Sequence, residues 1–374
     1  MGLLQRINRA VPLAQAYAAV GKHAPGFDTL RVLAASAVVY HHSMALQHDI
    51  VRDDWLFRLG QGYTTLGFLA VCVFFCLSGF LVTPGLLKDG DVPSYLSRRF
   101  VRIMPLLVIV VVTTVFVIGP IATHLPAHAY FSDYHTWLYL KNVTTSLSLE
   151  LPGVRNQVGG EEVNGALWTL RFEWLCYLAL AALALARLLR VRMVVLLCWL
   201  AAEAIAIMGY HGQAAPTGNG VLFCHLFSYF GAGTLLWLYR EHVPVSPVLG
   251  MAALVALPLS WVLGLGVVIA PALTAYLVAS LGLVKWPWST WLARADTSFG
   301  IYLMHGPIMV LILAFWAPPY FALLFLVTMA LALPAALLSW HLIEKPALAH
   351  KDILAKLARH ALDITPLNKG KTAR

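Results

Sequence analysis

Apolar residues come in ten long runs along this chain, near 27–47, 63–87, 104–123, 166–188, 193–209, 220–239, 247–263, 265–284, 297–316 and 320–343, with short polar joints between them. Most approach the roughly 20 residues an α-helix needs to cross a bilayer core, although the fifth and seventh are short. The pattern predicts an all-α fold, a polytopic membrane helical bundle of about ten transmembrane helices. One joint is long. Residues 124–165 carry Tyr130, Phe131, Tyr134, Trp137 and Tyr139 ahead of a polar stretch through Gly159 and Gly160, which reads either as an aromatic anchor at the membrane surface or as a lid. Asn142-Val143-Thr144 within it fits the short glycosylation pattern. No internal repeat or low-complexity linker is visible, so a single bundle carries the function.

Composition sharpens this picture. At 60% hydrophobic and 11% charged over 374 residues, the chain is too apolar for a soluble domain of its size. Placing both termini in the cytoplasm puts Arg6, Arg9, Lys22, Lys88, Arg98, Arg99, Arg102, Arg187, Arg190, Arg192, Arg240, Lys285, Arg294 and the basic residues after position 344 inside, and leaves Arg52, Arg58, Lys141 and Arg155 outside. That asymmetry obeys the positive-inside rule. The net charge of +9 therefore reports topology and anionic lipid contact, and gives no reason to invoke nucleic acid. Residues 1–25 read as a cytoplasmic, interfacial helix, because Pro12 and Gln15 interrupt the apolar core a cleaved signal needs. The transmembrane domain covers 26–346 and a basic cytoplasmic tail 347–374. The five cysteines lie in or beside predicted spans, with neither a disulfide framework nor zinc spacing, and no metal is expected.

Four segments place polar groups where a bundle disfavours them. The first holds Asp28, Arg31, His41 and His42. Eleven residues of helix bring Arg31 and His42 to within about 20° of one face after a rise of roughly 16 Å, so the two are expected to face one crevice. An arginine in a span costs about 2.5–3.5 kcal/mol and demands a partner. A histidine there serves in packing or as a general base on a hydroxyl. The second segment, Phe74-Phe75-Cys76-Leu77-Ser78-Gly79-Phe80, suits close helix packing. The third, Arg98-Arg99-Phe100-Val101-Arg102, reads as membrane anchoring or, with Arg99 and Arg102 on one helix surface, as a phosphate fork. The fourth is Trp168-Thr169-Leu170-Arg171-Phe172-Glu173-Trp174, where Glu173 either locks the bundle by an ion pair or takes part in chemistry.

Together these segments resemble the acyltransferase-3 family of integral membrane O-acyltransferases. The resemblance rests on FDTLR and the Arg31-to-His42 interval, then FFCLSGF, RRFVR and WTLRFEWLCYL in that order, followed by SFGIYLMHGP (Ser298 to Pro307) and LIEKP (Leu342 to Pro346). It runs from about Asp28 to Pro346. Two departures are visible: Arg171, where the family more often has an uncharged residue, and Trp174 in place of a common polar one. Too few residues follow Pro346 for the hydrolase-like domain fused to some members, so the stand-alone type is implied.

The resemblance implies transfer of an acyl group, most often acetyl, from cytoplasmic acyl-coenzyme A to a hydroxyl of a cell-envelope glycan such as an O-antigen, exopolysaccharide or glycolipid, at a bacterial inner membrane. His42 is then the general base. Arg31 orients the donor or stabilises developing charge, and Glu173 holds the tautomer of His42 or moves a proton. Arg99 and Arg102, with Arg98 and Ser78, are the candidates for binding the coenzyme. A secondary transporter with a buried Arg, His and Glu site is the rival from another class, although it predicts repeat symmetry and gives RRFVR no task. A second enzyme reading takes His128 to Asp133 as the HxxxxD pattern of other acyltransferases, but on the outside that motif has no coenzyme supply.

Overall fold

The computed structural model describes residues 10–21, 24–47, 54–144, 146–154, 162–209 and 218–362; Arg6, Arg9, Lys22, Arg52, Arg155, Gly159, Gly160 and the last twelve residues lie outside that set. Helices of sixteen residues or more form on each of the ten apolar runs: α1 (Gly26–Ala45), α2 (Leu66–Asp89), α3 (Val92–Thr113), α4 (Trp168–Leu185), α5 (Arg192–Gly209), α6 (Asn219–Leu238), α7 (Pro247–Val262), α8 (Gly266–Gly282), α9 (Ser298–Phe315) and α10 (Phe321–Ser339). Among the described residues seven helices are long and apolar enough to cross a membrane, those built on α2 to α6, α9 and α10. The sequence reading expects about ten, one on each apolar run. Helices α7 and α8 are apolar but stop at 16 and 17 residues, and α1 spends its length on Asp28, Arg31, His41 and His42.

Helix α2 lies at the centre, packed against α1, α6 and α8, while α1 also packs on α9 and α10. The α2–α6 crossing is set by two glycines. A Cβ on Gly79 would sit 1.9 Å from the Phe230 carbonyl oxygen, and one on Gly233 would sit 2.2 Å from that of Cys76. Main chains thus touch where Ser78 is presented. Helices α5 and α7 leave apolar side chains such as Met208 and Leu263 exposed, as lipid-facing elements do.

The first and last described segments dock onto the bundle. Val11–Pro12 pairs antiparallel with Pro244–Val245, and the helix Leu13–Val20 sets Tyr17 edge-on to Phe80 and Trp237. At the other end lies α11 (Lys351–Leu362), a twelve-residue amphipathic helix against α3, where Arg359 meets Asp91 at 2.5 Å. The long joint is docked as well. Tyr130 and Tyr139 are fully buried, and the Tyr130 hydroxyl donates to the Val115 carbonyl inside the π-helical turn Thr114–Ile118 that ends α3. The Asn142 amide is also buried and bonds the Tyr139 and Ser148 carbonyls, so it is structural and not presented as a sugar acceptor. Tyr134 and Trp137 remain exposed.

One polar lock ties α3 to the α9–α10 side. The Arg102 guanidinium pairs with Asp296 at 2.7 Å and with the buried carboxylate of Glu344, which also accepts from Ser339 at 2.9 Å. Phe299 and Trp340 lie beside the guanidinium, at 5.1 and 5.8 Å from ring centre. Asp296 sits just before α9; burial works to raise its pKa, but Arg102 and Arg31 outweigh it and hold the carboxyl down to about 2.

Three outcomes are expected from these contacts. Gly79→Ala should lower thermal stability in detergent by about 1–3 kcal/mol, since the new methyl has only backbone to displace. Arg102→Ala strands a buried carboxylate and should cost roughly 3–5 kcal/mol by denaturant titration. A depressed aspartate stabilises fully above its unfolded pKa and loses that contribution as pH falls toward the folded one. Melting temperature should therefore hold from neutral pH down to about 4 and drop between about 4 and 2, less steeply in Asp296→Asn.

Candidate active site

The last turn of α1 carries two imidazoles with different partners. His42 Nδ1 lies 2.7 Å from Nε2 of the buried His305 on α9, the rings inclined by only 12°. The other nitrogen of His305, Nδ1, faces the Ile301 carbonyl at 3.2 Å. A carbonyl only accepts, so His305 Nδ1 carries its hydrogen, His305 Nε2 accepts from His42 Nδ1–H, and His42 Nε2 is left with a free lone pair. That lone pair faces Gly165: a Cβ there would sit 3.3 Å from His42 Nε2 and 2.3 Å from an oxygen of Glu162. Only glycine leaves this approach open.

His41 belongs to the same cavity, which is lined by His41, His42, Thr65, Phe68, Val71, Trp168 and Tyr302 among others. Its Nδ1 lies 3.5 Å from Asp54. Asp54 is itself buried and accepts from the backbone N–H groups of Leu56, Phe57 and Leu66 at 2.8 to 3.1 Å. Burial would raise its pKa, but His41 and those N–H groups more than offset this and keep the carboxyl below its ordinary range.

A second cavity opens at the other end of α1. Arg31, Ser78, Arg99, Arg102, Glu173 and Asp296 line it with Phe74, Val71 and Tyr302. The three arginines are not equivalent there. Arg102 is committed to Asp296 and Glu344, and Arg31 pairs with Asp28 at 3.2 Å and stands 3.7 Å from Asp296. Arg99 makes no ion pair among the described residues; it lies 5.9 Å from the Tyr177 ring centre, and its buried Nε has no hydrogen-bond partner. Arg98 does not line the cavity.

Glu173 takes a place the sequence did not indicate. Its carboxylate accepts from Ser78 Oγ at 3.2 Å and from the Tyr177 hydroxyl, while the His42 ring is held by His305. The partner of the His42 ring is thus a histidine 263 positions away, while Glu173, expected to hold it, bonds Ser78 and Tyr177. Glu173 is no arginine lock either, for Arg171 turns to Asn219 at 2.8 Å and to the Phe172 ring. The two cavities adjoin, sharing Val71 and Tyr302 in their walls. The HxxxxD pattern is not a dyad: Asp133 accepts from the backbone and ring of His135, and His128 is exposed.

His305 and Glu344 were quoted in the sequence only as parts of closing motifs. Their signal was polarity inside SFGIYLMHGP and LIEKP, two segments otherwise apolar. Glu162 and Asp54 gave none, since a carboxylate in a polar joint is unremarked. Among the described residues no group of three or more His, Cys, Asp and Glu is placed to hold a metal ion.

A family model described as an acyltransferase domain matches residues 25–342. Nodulation protein 10 of Rhizobium leguminosarum bv. viciae is 27% identical, over 87% of this chain and 94% of its own. An O-acetyl transferase of Shigella phage Sf6 is 25% identical, over 85% and 94% respectively. Peptidoglycan O-acetyltransferase OatA of Listeria monocytogenes is 29% identical over 42% of this chain and 23% of its own. No solved structure matched the chain. With the match spanning α1 to α10 and both cavities inside it, the chain belongs to the acyltransferase-3 family, as an integral membrane acyltransferase.

Proposed function

We propose that the protein moves an acyl group, acetyl in the first instance, from cytoplasmic acyl-coenzyme A to a hydroxyl of a cell-envelope glycan at the inner membrane of a bacterium. The observation that carries this reading is the His42–His305 pair, which leaves a basic nitrogen on a histidine lining one cavity while an arginine-lined cavity adjoins it. Basic residues gathered at the arginine end favour the cytoplasm for that side. The names of the phage and Listeria relatives support a hydroxyl acceptor, and the Listeria name a glycan.

In this reading the anionic coenzyme binds at the arginine end. Arg99 supplies charge not already spent within the protein, and Arg31 orients the donor. Arg31 cannot also meet the oxyanion, because roughly 16 Å of helix separates it from His42. Arg102 keeps the wall of the site in place, with Glu173, Ser78 and Tyr177 forming its polar floor. His42 Nε2 takes the proton of the acceptor hydroxyl as its oxygen attacks the thioester carbonyl carbon. The carbon–sulfur bond then breaks, and the imidazolium returns the proton to the departing thiolate. His305 keeps His42 in the tautomer this needs and spreads the charge it gains.

His42→Ala should lower acyl transfer in membranes by about 10²–10⁴-fold; a folded variant with retained activity overturns the assignment. His305→Ala should lower kcat while leaving the donor KM near that of wild type, and His305→Gln, which keeps an acceptor for Nδ1–H, should restore part of the rate. Arg99→Ala should mainly raise the donor KM, by about tenfold for one lost charge-assisted contact, read by steady-state kinetics with acetyl-coenzyme A.

A further inference from the structure

Glu162 stands beside the free nitrogen of His42 and has no task in the reading above. A Cβ built on Gly165 would meet Glu162 Oε1 at 2.3 Å and His42 Nε2 at 3.3 Å, so the two atoms are no further apart than those lengths laid end to end. The segment that carries Glu162 is fixed on α9 on either side of His305. Asn164, fully buried, donates from Nδ2 to the Leu303 carbonyl at 2.8 Å, and a Cβ on Gly306 would sit 2.7 Å from the Val163 carbonyl oxygen. The Val163 N–H in turn donates to the Leu149 carbonyl at 2.8 Å, next to the antiparallel bridge between Glu150 and Glu162. The Glu162 side chain is exposed, and among the described residues its carboxylate takes no hydrogen bond and no ion pair.

We infer that Glu162 and His42 together hold two neighbouring hydroxyls of the acceptor, so that the alcohol acylated is one member of a vicinal pair whose other member stays free. The inference deepens the acyl-transfer reading and rests on it. Both protein atoms only accept: an ionised carboxylate carries no hydrogen, and His42 holds its own on Nδ1, against His305. A lone hydroxyl brings one hydrogen and satisfies one of them. Hydroxyls on adjoining carbons bring two, and a hydrogen bond of about 2.7–2.8 Å from each reaches both atoms across the interval that Gly165 keeps clear. Behind His42 the cavity is walled by Phe68 and Trp168, whose rings lie within 7° of parallel and offer an apolar surface to the acceptor's carbon skeleton. One hydroxyl gives its proton to His42 Nε2 and attacks as already described. The other keeps its O–H bond, and by docking on Glu162 it decides which oxygen reacts.

The test gives the full-length protein in nanodiscs acetyl-coenzyme A with either 1,2-cyclohexanediol or cyclohexanol, and reads ester formation by mass spectrometry as kcat/KM for each alcohol. Wild type should favour the diol by about tenfold or more, beyond the statistical advantage of its two equal hydroxyls, as one charge-assisted hydrogen bond provides. Glu162→Ala should bring the diol-to-alcohol ratio down to that statistical value, a change that general damage to the fold does not produce. Glu162→Gln keeps an acceptor oxygen and should give an intermediate ratio. Equal use of the two alcohols by wild type overturns the inference, and so does a Glu162→Ala protein with the ratio unchanged. A wild type that acylates its native membranes but neither alcohol overturns it too, since the diol supplies both hydroxyls. Membranes left unacylated as well remove the acyl-transfer reading itself, an outcome distinct from a missing diol preference.

Discussion

A charge inside an apolar bundle has to be partnered, and in this molecule that single requirement sorts the arginines. Arg102 is matched by two carboxylates, one almost wholly buried, and serves to join α3 to the α9–α10 side. Arg31 is satisfied in part by Asp28 and leans toward Asp296, which the same lock already holds. Arg99 has only an aromatic ring. Of the carboxylates lining the cavity, Asp296 is taken up by Arg102 and Arg31 and Glu173 by Ser78 and Tyr177, so Arg99 has no carboxylate partner among the described residues. The lock and the binding site are therefore one network, with Asp296 the hinge between its two roles.

At the other end the organising principle is hydrogen-bond direction in place of charge. A backbone carbonyl of α9 fixes the hydrogen on His305, which fixes that of His42, which leaves a lone pair at the mouth beside Gly165. This relay needs no ion and so avoids the desolvation cost that a buried carboxylate partner carries. The neighbouring His41 meets a carboxylate instead, one held by three backbone donors outside the spans. Two adjacent imidazoles in one cavity thus sit in different electrostatic surroundings.

The helices were legible because each apolar run is long and bounded, and α1 to α10 follow those runs closely. The shared face of Arg31 and His42 was legible from helical period alone. What the sequence withheld was pairing across the chain: nothing local tells His42 that its partner lies in α9, or Arg102 that Glu344 does, because both contacts close loops of more than two hundred residues. The same holds for Glu173, its position on a helix being clear and its neighbours Ser78 and Tyr177 not. In α7 and α8 apolarity outruns length, at 16 and 17 residues.

The two cavities share Val71 on α2 and Tyr302 on α9 in their walls, and the Tyr302 hydroxyl donates to the Ala166 carbonyl just ahead of α4, the helix that also carries Glu173. The walls of both cavities consequently rest on α4 and α9 together, so a shift of one helix against the other moves both.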